Sequence, residues 1–106
     1  MSADILFIPE ERGRYRKINS NQIVLLEAGS TNTKVVTEIG NFYTPLSLER
    51  LQELLGPGYC RIHRTYAICI NHINRLETNW VNIHKQDLPI GDKYRKEFFS
   101  RLKFLI

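Results

Sequence analysis

Residues 59–73 read YCRIHRTYAICINHI, and the threading of this stretch decides the fold. Arg61-Ile62-His63-Arg64 runs directly into Tyr66-Ala67-Ile68-Cys69-Ile70, an apolar run of strand length rich in β-branched and aromatic residues. The pattern predicts a central strand with two fixed cations at its entrance. Guanidinium groups held on such a mount suit a phosphate or a guanine edge. The competing reading is that Arg61 and Arg64 are solvated charges at a strand end.

Cys60, His63, Cys69 and His72 resemble two metal half-sites. Tetrahedral zinc needs all four donors within about 2.0 to 2.3 Å of one point, which requires the chain to reverse between His63 and Cys69. The intervening Arg-Thr-Tyr-Ala-Ile contains no Gly, Pro, Asn or Asp, so it is expected to continue as strand, with no metal bound. On that extended reading Cys60 and Cys69 lie roughly 30 Å apart, beyond the reach of a disulfide. Cys60 and His63 would point to opposite faces, which argues against a nucleophile–base pair. There is no Gly-rich phosphate loop and no convincing carboxylate pair. The expectation is a protein that is not an enzyme and takes no cofactor.

The chain as a whole agrees with a small cytoplasmic domain. Its 106 residues suit one unit over 1–106, with 42% hydrophobic and 25% charged residues. No apolar stretch approaches a membrane span, and the N-terminus lacks a secretory pattern. The net charge of +4 is uneven: residues 1–59 hold six Lys/Arg against seven Asp/Glu, and residues 60–106 hold nine against four. A basic second half favours polyanions or anionic membrane surfaces.

Working outward, Asp4–Ile8 and Arg14–Ile18 read as a hairpin around Glu10-Glu11-Arg12-Gly13. Arg12, Arg14, Arg16 and Lys17 form either a second basic patch or the charged guard of an edge strand. Ile23–Ala28 is a strand expected to be buried on both faces. Gly29–Thr33 is turn chemistry, Lys34–Ile39 a strand, Gly40-Asn41 a turn, and Phe42–Thr44 a short strand. Leu48–Leu55 is a helix with Ser47 as N-cap, leucines 48, 51, 54 and 55 on its core face, and Gly56-Pro57-Gly58 as its stop. Ile73–Thr78 and Trp80–His84 alternate as a hairpin with one wet face. Gln86-Asp87 then turns into Leu88-Pro89-Ile90, an edge or strand end. Lys93–Leu105 carries Tyr94, Phe98, Leu102 and Leu105 at helical spacing behind an Asp92 N-cap.

With these pieces in order, His63-Arg64-Thr65-Tyr66 and its aliphatic strand resemble the His-Arg-Ser-Tyr-type motif of LytTR DNA-binding domains, found in bacterial response regulators of two-component systems. Ile23–Ala28 is similar to that family's apolar strand ending in Glu-Ala, Leu48–Leu55 to its short helix, and Leu88-Pro89-Ile90 with Tyr94 to its closing strand and terminal helix. The resemblance implies a mainly β fold: an elongated arrangement of small, mostly antiparallel sheets with one short helix in mid-chain and a C-terminal helix. It implies double-stranded DNA as partner, loops inserted into successive major grooves, and two copies pairing on repeated sites. By the same resemblance Thr31, Asn32, Thr33, Lys34, Arg64 and Lys93 should face DNA. If the chain reads DNA, Arg64 is expected to fork onto guanine or clamp a phosphate while Arg61, Lys93, Arg95 and Lys96 position the backbone.

Three departures stand out. Cys69 occupies a place where the family usually has Asn, Gly91-Asp92 replaces a common Ser-Arg pair, and an aromatic common near Asn32 is missing. Asp92 is therefore assigned to capping and the contact to Lys93. The family's usual receiver or membrane domain is not seen in the chain, so it is expected either to stand alone or to be controlled by a sensor-kinase-linked or membrane partner. The leading reading is a sequence-specific DNA-binding transcriptional regulator. The other is a protein-interaction module that keeps the fold and regulates another factor, favoured by the departures at Cys69 and Asp92.

Overall fold

In the computed structural model of the chain, residues 4–106 are described. β1 (Ile5–Pro9) and β2 (Tyr15–Asn19) form a two-stranded antiparallel sheet. β3 (Ile23–Ala28), β4 (Thr33–Thr37) and β5 (Gly40–Thr44) follow as a meander, then α1 (Leu48–Leu55). β6 (Tyr59–Arg61) and β7 (Tyr66–Cys69) complete a five-stranded sheet of order β5-β4-β3-β7-β6. β8 (Ile73–Leu76), β9 (Trp80–Ile83) and β10 (Gln86–Pro89) make a third sheet, and α2 (Asp92–Ser100) closes the fold. All pairings are antiparallel, and the extents of 47 × 33 × 24 Å describe the expected elongated, mainly β arrangement.

The five-stranded sheet is covered on both faces, which is why β3 reads as a continuous apolar run. One core joins Ile8 and Ile18 of the β1–β2 hairpin to Leu26, Val35, Phe42, Cys69 and the α1 leucines 48 and 51. The other joins Val24, Leu25, Ile62 and Ile68 to Val81, Ile83 and Leu88 of the three-stranded sheet and Phe98 of α2. A bulge in β3 sets which of its residues face each core. Ile23 pairs with Thr37 and Leu25 with Val36, so the unpaired Val24 turns the same way as Leu25, while Ile23 and Leu26 face the other core.

Several expectations hold. Ser47 caps α1 by accepting from Arg50 N at 3.1 Å, Gly56 ends it at φ 91°, and Pro89 sits on the edge strand β10. Others are corrected. Residues 59–73 do not form one strand: the chain reverses between β6 and β7, pairing Tyr59 with Cys69 and Arg61 with Ala67. The sheet's centre is β3, with β7 beside it. The roughly 30 Å separation of the cysteines therefore falls away. Both thiols are free because Cys60 and Cys69 point to opposite faces of the sheet, one into each core. Leu54 is 57% exposed, so the core face of α1 is narrower than its leucine spacing suggested. The β9–β10 turn falls on His84-Lys85, at φ 50° and 64°, and Gln86-Asp87 already belong to β10. In α2 the N-cap position is Gly91, and the helix stops at Ser100, leaving Leu105 89% exposed.

Burial pushes the Cys60 and Cys69 thiols and the Tyr59 hydroxyl up from their ordinary values. The folded chain thus holds protons that the unfolded chain releases first. The associated stability is full below the unfolded thiol value of 9.0 and is lost as pH rises past it. Thermal scans between about pH 7 and about pH 10 should show Tm falling beyond about pH 9, with a shallower fall in a Cys60→Ala/Cys69→Ala variant.

Candidate nucleic-acid interface

The β6–β7 reversal is a two-residue hairpin turn. His63 N donates to Tyr66 O at 3.3 Å and Tyr66 N to His63 O at 3.1 Å, leaving Arg64 and Thr65 at the tip. Neither tip residue has a positive φ, so this is not one of the primed turns whose twist suits a hairpin. Side chains brace it instead. His63 Nδ1 accepts from Thr65 N at 3.1 Å, and Arg61 donates from Nε to His63 O at 2.8 Å and from a terminal nitrogen to Arg64 O. The Arg61 guanidinium also lies over the Tyr94 ring, 5.7 Å from its centre.

Two backbone hydrogen bonds fix this reversal to its neighbours. Ala28 N donates to Thr65 O and Gly91 N to Ile62 O, both at 2.8 Å. Gly91 is packed so closely that a Cβ there would meet the Tyr94 ring at 3.3 Å and the His63 ring at 3.7 Å. The end of β3, the Arg64 turn and the entry to α2, separated in sequence, are thereby brought together.

Within the loop after β3, Gly29 N donates to Asn32 O at 2.8 Å, with Ser30 and Thr31 exposed and Asn32 half-buried. Thr33 is placed otherwise than expected: it is 2% exposed and its hydroxyl donates to Leu46 O at 2.7 Å. Lys34 is half-buried in β4, opposite Glu27 and Tyr43. The loop, the start of α1 and Arg61 enclose a groove of about 380 Å³.

At the entry to α2, Arg95 donates to the exposed Asp92 carboxylate at 2.7 Å, which sets a cation beside it. Arg95 also donates to Thr78 O at 2.8 Å, Asn79 Oδ1 at 2.8 Å and Ile90 O at 3.1 Å. Its guanidinium clamps α2 to the β8–β9 loop. Lys93 and Lys96 are exposed, with the Lys93 ammonium 5.8 Å from the Tyr94 ring centre. Among the described residues Arg64, Lys93 and Lys96 form no ion pair, whereas Arg61 and Arg95 are engaged inside the fold. The residues that reading the sequence missed are Gly91, Tyr94 and Thr65 as the joint between turn and helix. The glycine ahead of a helix was the one signal for it.

Cysteine and histidine chemistry lies elsewhere. His63 is held within its turn, His72 Nε2 is bonded to Asn21 O at 2.8 Å, and the two thiols are in separate cores. What the surface offers is cations and hydrogen-bond donors, which is anion chemistry.

The small antiparallel β fold matches what comparison with known proteins finds. The LytTr DNA-binding domain profile matches residues 13–103, and the chain belongs to that family. A segment of 57 residues is 30% identical to the CO-responsive transcriptional regulator RcoM of Rhodospirillum rubrum, covering 53% of this chain and 24% of that protein. The chain thus spans about a quarter of the length of that curated relative. In fold it is similar to the LytTr DNA-binding domain of a protein described as a methyl-accepting/DNA response regulator from Bacillus cereus. That likeness has a TM-score of 0.81 over 94% of this chain and 97% of the other, at 20% identity. No helix among the described residues is long and apolar enough to cross a membrane.

Arg95 and its basic neighbours should separate in a stability series. Arg95→Ala removes four hydrogen bonds and is expected to cost about 1 to 3 kcal/mol. Lys93→Ala and Lys96→Ala should stay within about 0.5 kcal/mol of wild type in urea unfolding.

Proposed function

We propose that the chain binds promoter DNA sequence-specifically, as the DNA-binding part of a transcriptional regulator, through the surface centred on Arg64. The observation that carries this reading is the contrast between guanidinium groups. Arg61 and Arg95 donate to protein acceptors, while Arg64, on the turn that Arg61 braces, is exposed and makes no side-chain hydrogen bond or ion pair among the described residues. A rigidly mounted, unpaired guanidinium suits bidentate hydrogen bonding to guanine. Lys93 and Lys96 supply phosphate contacts beside it. Thr31 and Asn32 present the loop after β3 to an adjacent stretch of groove, and Thr33 and Lys34 shape that loop from within the strand. Arg61 and Arg95 act by holding the contact residues in place.

Insertion of these loops into successive major grooves, pairing of two copies on repeated sites, and control by a sensor-kinase-linked or membrane partner belong to the same proposal. The departures that favoured a protein-interaction module lose weight in this setting. Cys69 is in a core away from the surface, and the Asp92 carboxylate is paired with Arg95.

Selection from random duplexes is the direct test, with an enriched motif and affinity falling steeply with salt as the expected result. Enrichment of nothing, with only weak salt-sensitive association, would place the protein with interaction modules. On the selected site Arg64→Ala should cost about 1 to 3 kcal/mol and relax preference at one base position. Arg61→Lys keeps the charge but loses the fork, so it should weaken binding with an almost unchanged salt slope. Its effect should be non-additive with Arg64→Ala by about 0.5 to 3 kcal/mol. Additive losses would return Arg61 to a direct phosphate contact.

A further inference from the structure

We infer that the β1–β2 hairpin carries a second DNA contact, a phosphate-backbone clamp formed by Arg12 and Arg14 that lengthens the footprint beyond the Arg64 surface. The inference rests on the DNA-binding reading above and concerns a part of the chain to which that reading assigns nothing.

An open groove of about 880 Å³ runs between the hairpin and the outer strand β5. Arg12 and Arg14 line one wall, Asn41 and Tyr43 the other, and Thr31 and Asn32 line it as well. Those last two residues also line the smaller groove next to Arg61, so the two grooves adjoin at the loop after β3. The hairpin groove thus starts at the same loop that borders the Arg61 groove, and a long ligand crossing that loop can reach both.

The charges in the groove are sorted. Arg16 is paired with Glu10 at 3.0 Å and lies 4.9 Å from the centre of the Phe42 ring, so it is a packing residue that cancels one carboxylate. Glu11 is the remaining acid of the lining. Arg12 and Arg14 are both exposed and, among the described residues, neither forms an ion pair. Two free guanidiniums beside an open groove suit a run of phosphates, which accept hydrogen bonds and carry charge at regular spacing.

The backbone favours a functional reading of the tip. Arg12 holds φ 61°, a left-handed conformation that costs a non-glycine residue about 1 kcal/mol or more, next to Gly13 at φ 73°. A hairpin chosen for stability alone would place Asn or Gly there. The guard of an edge strand needs charge on β2 but has no need of an arginine at this strained position.

The test uses the full chain and duplexes bearing the selected site with long or short flanks on the hairpin side. In Arg12→Asn/Arg14→Gln the fold is kept, because Asn tolerates the left-handed backbone and both positions are exposed. Its plot of log affinity against log salt should lose a slope of about 2, with the enriched motif unchanged. Shortening the flank should weaken the wild type to the level of the variant and leave the variant unaffected. A wild-type slope in the variant, or equal affinity of the wild type for both flanks, would overturn the proposal while binding that depends on Arg64 leaves the main reading intact. An unchanged slope with lost binding to a polyglutamate peptide would assign the groove to an acidic protein partner and overturn it too. If the wild type binds no duplex, the DNA reading itself fails and takes the clamp with it.

Discussion

The surface depends on one small feature, the side-chain-braced reversal of Ile62–Tyr66. The turn is held because its carbonyls and amides are answered locally, by Arg61 and by the His63 ring. Each such bond contributes about 1 kcal/mol net, but an unmet carbonyl in a half-buried turn costs more than that. The same reversal supplies Thr65 O to the end of β3 and Ile62 O to the entry of α2. Three loops therefore take their positions from one rigid point, and Arg64 at its tip inherits that rigidity.

The reversal is itself anchored by the two cores. Ile62 is 0% exposed within the core that contains Phe98 of α2, and Ala67, four residues past the first brace, is buried in the opposite core. Folding the β6–β7 hairpin into the five-stranded sheet thus commits one side of it to α1 and the N-terminal hairpin and the other to the three-stranded sheet. β3 between them presents Ile23 and Leu26 to the first core and Val24 and Leu25 to the second. Burial of a Val, Leu or Ile side chain stabilises by about 1.5 to 3 kcal/mol, and the central strand alone commits four such residues.

Much of this was legible in the sequence because it rests on local rules. Ser47 and Gly56 mark the ends of α1, the apolar run of β3 marks a strand covered on two sides, and Pro89 marks an edge. The reversal at Arg64-Thr65 was not, since those residues carry no turn chemistry. What makes the turn is Arg61 reaching forward and His63 folding over, a tertiary arrangement invisible to residue-type rules. The left-handed His84-Lys85 pair escaped for a related reason: both positions favour glycine or asparagine, and neither is present. Helical spacing from Tyr94 to Leu105 overran the true end of α2. Ser100 donates its hydroxyl to Glu97 O, and beyond it only Leu102 still packs on the core.

The candidate site divides along the same line. Composition and resemblance located the basic residues but could not say which of them are free. A guanidinium has five donors in one plane, so it can either satisfy several carbonyls of its own fold or face a ligand. Arg61 and Arg95 do the first. Asp92, which in isolation would repel a phosphate, makes the same distinction understandable. It suits the positive end of α2 and pairs with Arg95, so the cations left pointing outward at that end are Lys93 and Lys96. An acidic residue at this entry thus stands beside an arginine of the fold, and the exposed cations nearest the turn and this entry are Arg64, Lys93 and Lys96.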